Sequence, residues 1–249
     1  MLCRVARLAS QREAGRRGPV VPDREAALGG SVGIMARWPR WARFLTGIVV
    51  AAAVVVGTPA IRQSILQAAG RALVVDDGVE PVDTVVVAAD AAGAGVLEAV
   101  DLVQRGVATR VAVFADPPDA ADREFIRRGV PYDDAAARSA RQFRSLGVTA
   151  IEHIPRSVAG TEAEARALRD WCKAQSVRAV IVVTMPDHSR RWRRIAHRTM
   201  YRQHTRVLVR PAHYSPFDPD RWWESRDGVR TAVMELEKLL VDVVRHPIS

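Results

Sequence analysis

The chain has 249 residues, 48% hydrophobic, 26% charged and 6% aromatic, with 14 Pro, 16 Gly and 2 Cys. That composition excludes a disordered chain, a collagen-like repeat and a disulfide scaffold; with a mean hydropathy of −0.05 and one long apolar run it also excludes a polytopic membrane protein. The formal charge of +9 is uneven: residues 1–61 hold nine Arg and three acids, so +6 lies there and +3 in residues 62–249, which bears on membrane topology more than on nucleic acid.

In chain order, residues 1–43 form a basic leader. Its first 34 residues lack periodicity and read as a tail or as an over-extended gene start, since Met35 opens a more ordinary leader. The run Phe44–Ile61 is 18 residues without a charge, the lower end of what spans a bilayer. Arg37, Arg40 and Arg43 precede it, which predicts a single-pass inner-membrane anchor with the rest of the chain outside the cytoplasm. A cleaved signal peptide is the alternative, with Thr58-Pro59-Ala60 as the cleavage region. Residues 62–79 read as a connector.

From about residue 80 the pattern changes. Val85–Ala89 is apolar without polar alternation, the mark of a strand buried on both faces. Further strands are predicted at 110–114, 149–154, 179–183 and 207–209, and helices at 95–106, 122–128, 134–146, from Thr161, at 187–201 and at 226–244. Strand and helix alternate, so the expected fold is one three-layer α/β/α domain over residues 80–249, doubly wound and Rossmann-like, with a mostly parallel sheet of about five strands.

Ligands of such sheets bind beyond the carboxyl ends of the strands. Asp90, Gly93 and Gly95 follow the first strand, and Asp116 follows the second. Thr161 and Glu164 follow the third, and Thr184, His188, Arg190 and Arg191 follow the fourth. Gly93-Ala94-Gly95 lacks the third glycine of a dinucleotide fingerprint and equally describes a tight turn. Thr161 and Glu164 have capping-box spacing. His188 is the candidate acid/base, with Asp90 or Asp116 to orient it. Seven Arg lie between Arg190 and Arg206 with no acid among them; a bound anion at the helix start would relieve their repulsion. No Walker loop, serine elbow, zinc spacing or nucleic-acid motif occurs, so no metal and no nucleic-acid partner is expected, and no cofactor is assigned. Cys3 and Cys172 form no framework.

Three segments carry a family resemblance. They are Pro81–Val87, Gly160–Ala165, and Val183-Thr184-Met185-Pro186-Asp187-His188-Ser189-Arg190-Arg191. The chain resembles the SanA/YdcF/ElyC-like proteins, the bacterial domain of unknown function 218, over about residues 82–245. Arg221-Trp222-Trp223 and Glu235–Lys238 are similar to its membrane-linked branch. Gly160, Ala163 and Glu164 stand where the family has Asn, Glu and Asn, and Asp187 where it has Tyr. The resemblance implies a membrane-anchored Rossmann-like domain with a role in envelope or cell-wall biogenesis or barrier function. The expected ligand is a phosphorylated, anionic or lipid-linked small molecule, and any chemistry is transfer or hydrolysis at phosphate. The rival expectation is an envelope scaffold that binds protein partners. Buried Trp222 and Trp223 beside an open His188/Arg191 pocket favour the ligand reading; exposed tryptophans beside a filled pocket favour the scaffold.

Overall fold

The computed structural model describes residues 39–158 and 160–247. The leader, with Cys3 and the alternative start at Met35, lies outside the described residues. The chain divides after Gly57 into two compact units. The described part of the first unit is mainly one helix, α1 (Arg40–Gly57). A second helix, α2 (Pro59–Arg71), begins the other unit. The run expected to span a membrane, 44–61, is shared between two helices, and Pro59, which cannot donate a helical N–H, starts the second one. The uncharged part of α1 spans roughly 21 Å at about 1.5 Å per residue, short of a hydrocarbon core of roughly 30 Å. Among the described residues no helix is long and apolar enough to cross a membrane.

The unit that starts at Thr58 holds five parallel strands. They are β1 (Thr84–Val87), β2 (Val111–Ala115), β3 (Ile151–Pro155), β4 (Ala179–Thr184) and β5 (Arg206–Pro211), in the spatial order β3-β2-β1-β4-β5. Helices α3 (Ala92–Gln104) and α5 (Ala135–Ser145) pack on one face; α6 (Thr161–Ala174) and α7 (Pro186–Thr199) pack on the other. The period-2 pleat divides each strand between two cores. Val85, Val87, Ile181 and Val183 join Val96, Leu102 and Phe143 on the first face. Val86, Val180 and Val182 join Leu168, Trp171 and Trp192 on the second. Both faces are covered, so the strands need no polar side, and the expected α/β/α architecture is the one observed.

The short helix α4 (Ala120–Arg127) follows β2, and the long helix α8 (Arg226–Arg245) ends the fold. A third core joins α2 to α8 through Leu73, Phe217, Trp222 and Ala232. Trp222 is buried and its Nε1–H donates to the Leu66 carbonyl at 2.8 Å. The connector expected at 62–79 is thus partly a packed helix. Cys172 is buried within the second core, where desolvation pushes its thiol up to about 12, so it stays protonated and unreactive.

Gly95 has a packing role. A Cβ there would lie 2.5 Å from the Ala91 Cβ and 2.7 Å from Val87 Cγ1. Gly95→Ala should cost about 1–3 kcal/mol in urea unfolding, despite the better helix propensity of Ala, because α3 must move off β1 to make room.

Candidate functional site

The strand order reverses between β1 and β4, which leaves a crevice beyond their carboxyl ends. A cavity of about 610 Å³ lies there, lined by Asp90, Thr161, Glu164, Asp187, His188 and Arg191 together with Phe217, Glu235 and Lys238. Four helix starts contribute to it: Asp90 just before α3, Gly160 and Thr161 of α6, Met185 and Asp187 of α7, and Ser225 and Gly228 of α8.

Their capping is uneven. α4, α5 and α8 carry side-chain caps from Asp119, Asp134 and Ser225. α2, α3, α6 and α7 carry none. The capping box expected from Thr161 and Glu164 does not form; the N-cap is Gly160, at φ 110. Thr161 Oγ instead lies 3.1 Å from His188 Nε2 and accepts from Arg191 Nη1 at 3.3 Å. Glu164 turns inward, taking Arg156 Nη1 at 2.6 Å and Trp192 Nε1 at 3.2 Å. Its burial outweighs those bonds and raises its carboxyl above the ordinary range. A capping box does occur in α4, between Asp119 and Asp122.

Glu235 of α8 organises the centre. Its Oε2 lies 3.1 Å from His188 Nδ1 and accepts from Arg191 Nε at 3.0 Å; its Oε1 takes Lys238 Nζ at 2.7 Å. Burial pushes Glu235 up, but the bonds from His188, Lys238 and Arg191 prevail and hold it well below the usual carboxylate range. Arg191 Nη2 also approaches His188 Nδ1, at 2.8 Å. Asp90 accepts from Thr184 Oγ at 3.0 Å and from the Met185 N–H at 3.1 Å, which ties the turn after β1 to the turn after β4. Asp187 is buried in the first turn of α7, and desolvation pushes its carboxyl up to about 6, with Glu235 and Asp90 adding to the rise.

Of the residues expected from sequence, the cavity gathers Asp90, Thr161, Glu164, His188 and Arg191. Thr184 is fully buried and acts through Asp90. A Cβ at Gly93 would meet nothing within 4 Å, whereas Gly95 brings α3 against β1. Asp116 does not line the cavity; Arg156 holds it with two bonds at 2.5 Å and links it to Glu164. Arg190 turns away, donating to the Val74 carbonyl at 2.8 Å. Most of the crowded arginines between 190 and 206 do not need an anion to relieve them. Acids from other elements pair with them: Asp77 with Arg193 at 2.7 Å, Asp242 with Arg194 and Arg198 at 2.7 Å, Glu80 with Arg206 at 3.2 Å, and Glu235 with Arg191.

Sequence reasoning overlooked Glu235, Lys238 and Asp187 as members of the site. For Glu235 a signal existed: it sits among Ala232, Leu236 and Leu239 at helical spacing, on the face that α8 buries. A carboxylate at a core-facing position needs partners.

No family model matches the chain, and no curated protein matches it. Solved structures similar at a distance include the following two. The reductase domain of an aureusimine biosynthetic cluster is 12% identical over 49% of this chain and 39% of that one, with a TM-score of 0.23. The rRNA methyltransferase AviRa from Streptomyces viridochromogenes is 17% identical over 64% of this chain and 78% of that one, with a TM-score of 0.26.

Proposed function

We propose that the crevice between β1 and β4 binds a small phosphorylated or otherwise anionic metabolite, and that the protein acts in envelope or cell-wall biogenesis as a SanA/YdcF-like domain. One observation carries this reading: of the four helix starts gathered at the crevice where the strand order reverses, three, those of α3, α6 and α7, carry no side-chain cap. Uncapped first-turn N–H groups and the positive ends of helix dipoles suit an anion. Arg191 and Lys238 add charge beside them, and of the two tryptophans Trp222 is buried and Trp223 half-buried beside an open cavity, which supports a ligand over a scaffold in part. His188 is then the acid/base, oriented by Glu235.

Attachment to a bacterial inner membrane through residues 44–61, with the domain on the outer side, belongs to the same proposal. Exposed Phe44, Val49 and Val50 on α1, with Arg40 and Arg43 at its start, support contact with lipid. A lipid-linked glycan precursor combines such a surface with a phosphate.

The test is thermal unfolding of the full chain with inorganic phosphate, nucleotides, nucleotide sugars and short polyprenyl phosphates. A ligand at a hundred times its Kd should stabilise by about 2.7 kcal/mol. The shift should vanish in His188→Ala/Arg191→Ala. No shift with any of these anions overturns the reading and leaves protein partners in the envelope as the explanation.

A further inference from the structure

Thr161, His188 and Glu235 lie in line. The hydroxyl is 3.1 Å from Nε2, and Nδ1 of the same ring is 3.1 Å from the carboxylate. Three elements supply them: the first residue of α6, the first turn of α7 and the middle of α8. Hydroxyl, imidazole and carboxylate in this sequence make an activated nucleophile, its base and the group that orients the base.

We infer that Thr161 is a catalytic nucleophile that accepts a phosphoryl group from a phosphomonoester bound in the crevice. The inference rests on reading that crevice as a phosphate site. Nδ1 faces both Glu235 and Arg191, and a neutral ring can serve only one of them. Glu235 is held as an anion by Lys238 and Arg191 and can only accept. The Nδ1–H tautomer meets that need and leaves the Nε2 lone pair toward the Thr161 hydroxyl.

The steps balance. Thr161 Oγ bonds to phosphorus as its proton passes to Nε2, and the bond from phosphorus to the alcohol oxygen breaks. The departing alkoxide, opposite Thr161 across phosphorus, takes a proton from water. The hydroxide so formed attacks phosphothreonine-161 from that same side, and the imidazolium returns its proton to Thr161 Oγ as the bond to phosphorus breaks. The sum is ester and water to alcohol and phosphate. Arg191, whose Nη1 is 3.3 Å from Oγ, faces the charge that develops there. Glu164, three residues along α6, is tied to Arg156 and Trp192 and stays out of the exchange.

Orthovanadate and inorganic phosphate are the probes, on the full chain. Vanadate takes the five-coordinate geometry of the transition state when a nucleophile stands in line with it. The wild type should bind vanadate about 100-fold or more tightly than phosphate. Thr161→Val should lose that preference and Thr161→Ser should keep it. With p-nitrophenyl phosphate, acid quenching should trap one phosphoryl group on the peptide that carries Thr161. Nitrogen-15 NMR of the His188 ring should find Nε2 without a proton. Phosphate binding without vanadate preference overturns the nucleophile and spares the proposed ligand class; so does a preference that survives in Thr161→Val, or a protonated Nε2 in the neutral ring. Failure to bind phosphate at all removes the reading beneath both.

Discussion

Asp187→Asn should stabilise the protein by up to about 3 kcal/mol at pH 8 and by almost nothing at pH 4. Urea unfolding at the two pH values measures it. A carboxylate in the first turn of a helix is ordinarily favoured by the dipole. Asp187 is different because α7 starts inside the crevice: burial pushes its carboxyl from 3.8 up to about 6, and Glu235 and Asp90 add like charge. The folded state therefore holds a proton that the unfolded chain releases earlier. Stability is fullest below pH 4, falls as pH rises from about 4 through about 6, and stays reduced above that. The amide keeps the shape and removes the charge, so the variant should lose the part of the slope that Asp187 contributes over that window. An unchanged slope would mean that Asp187 is not the group responsible. The proposed anion should also bind more tightly below pH 6, where a negative charge leaves the cavity.

Arg156→Met should destabilise by about 3–5 kcal/mol at pH 8. Its side chain is 5% exposed and lies between Asp116, at 41%, and Glu164, at 8%. Asp116 can return to water when the guanidinium goes. Glu164 cannot; it would keep the Trp192 N–H alone, and burial already raises its carboxyl. It would take up a proton, so the loss should shrink as pH falls. Arg156→Met/Glu164→Gln should recover most of the stability, because removing both charges leaves none unpaired. Equal losses in the single and double variants would show that the packing of Arg156, not its charge, is what counts.

Most of the fold is legible in the sequence. β-Branched runs such as Val180–Val183 and Val85–Val87 have one stable use, a strand covered on both faces, and Gly106 and Gly147, at φ 75 and 84, close helices where the pattern ends. α2 was hidden because its residues pack against Trp222 and Leu236, more than a hundred positions away. The site is half legible for the same reason. The turns after β1 and β4 announce Asp90, Thr184, His188 and Arg191 by position. What each does depends on distant partners. Thr161 and Glu164 have the spacing of a cap, yet a buried Arg156 and His188 offer better bonds than the helix end does. The arginines of α7 look unpaired in the linear sequence because Asp242 and Glu235 arrive on α8.

The order in which those parts leave the ribosome has a consequence. The sheet is complete at Pro211, and His188, Arg191 and Thr161 are then all present. The carboxylate that orients the imidazole comes later, on the last helix. In the proposed chemistry the hydroxyl, imidazole and carboxylate are therefore complete only once α8 has docked, after all five strands have left the ribosome. A nick or truncation ahead of Glu235 would remove the carboxylate from the proposed site while leaving all five strands in the chain.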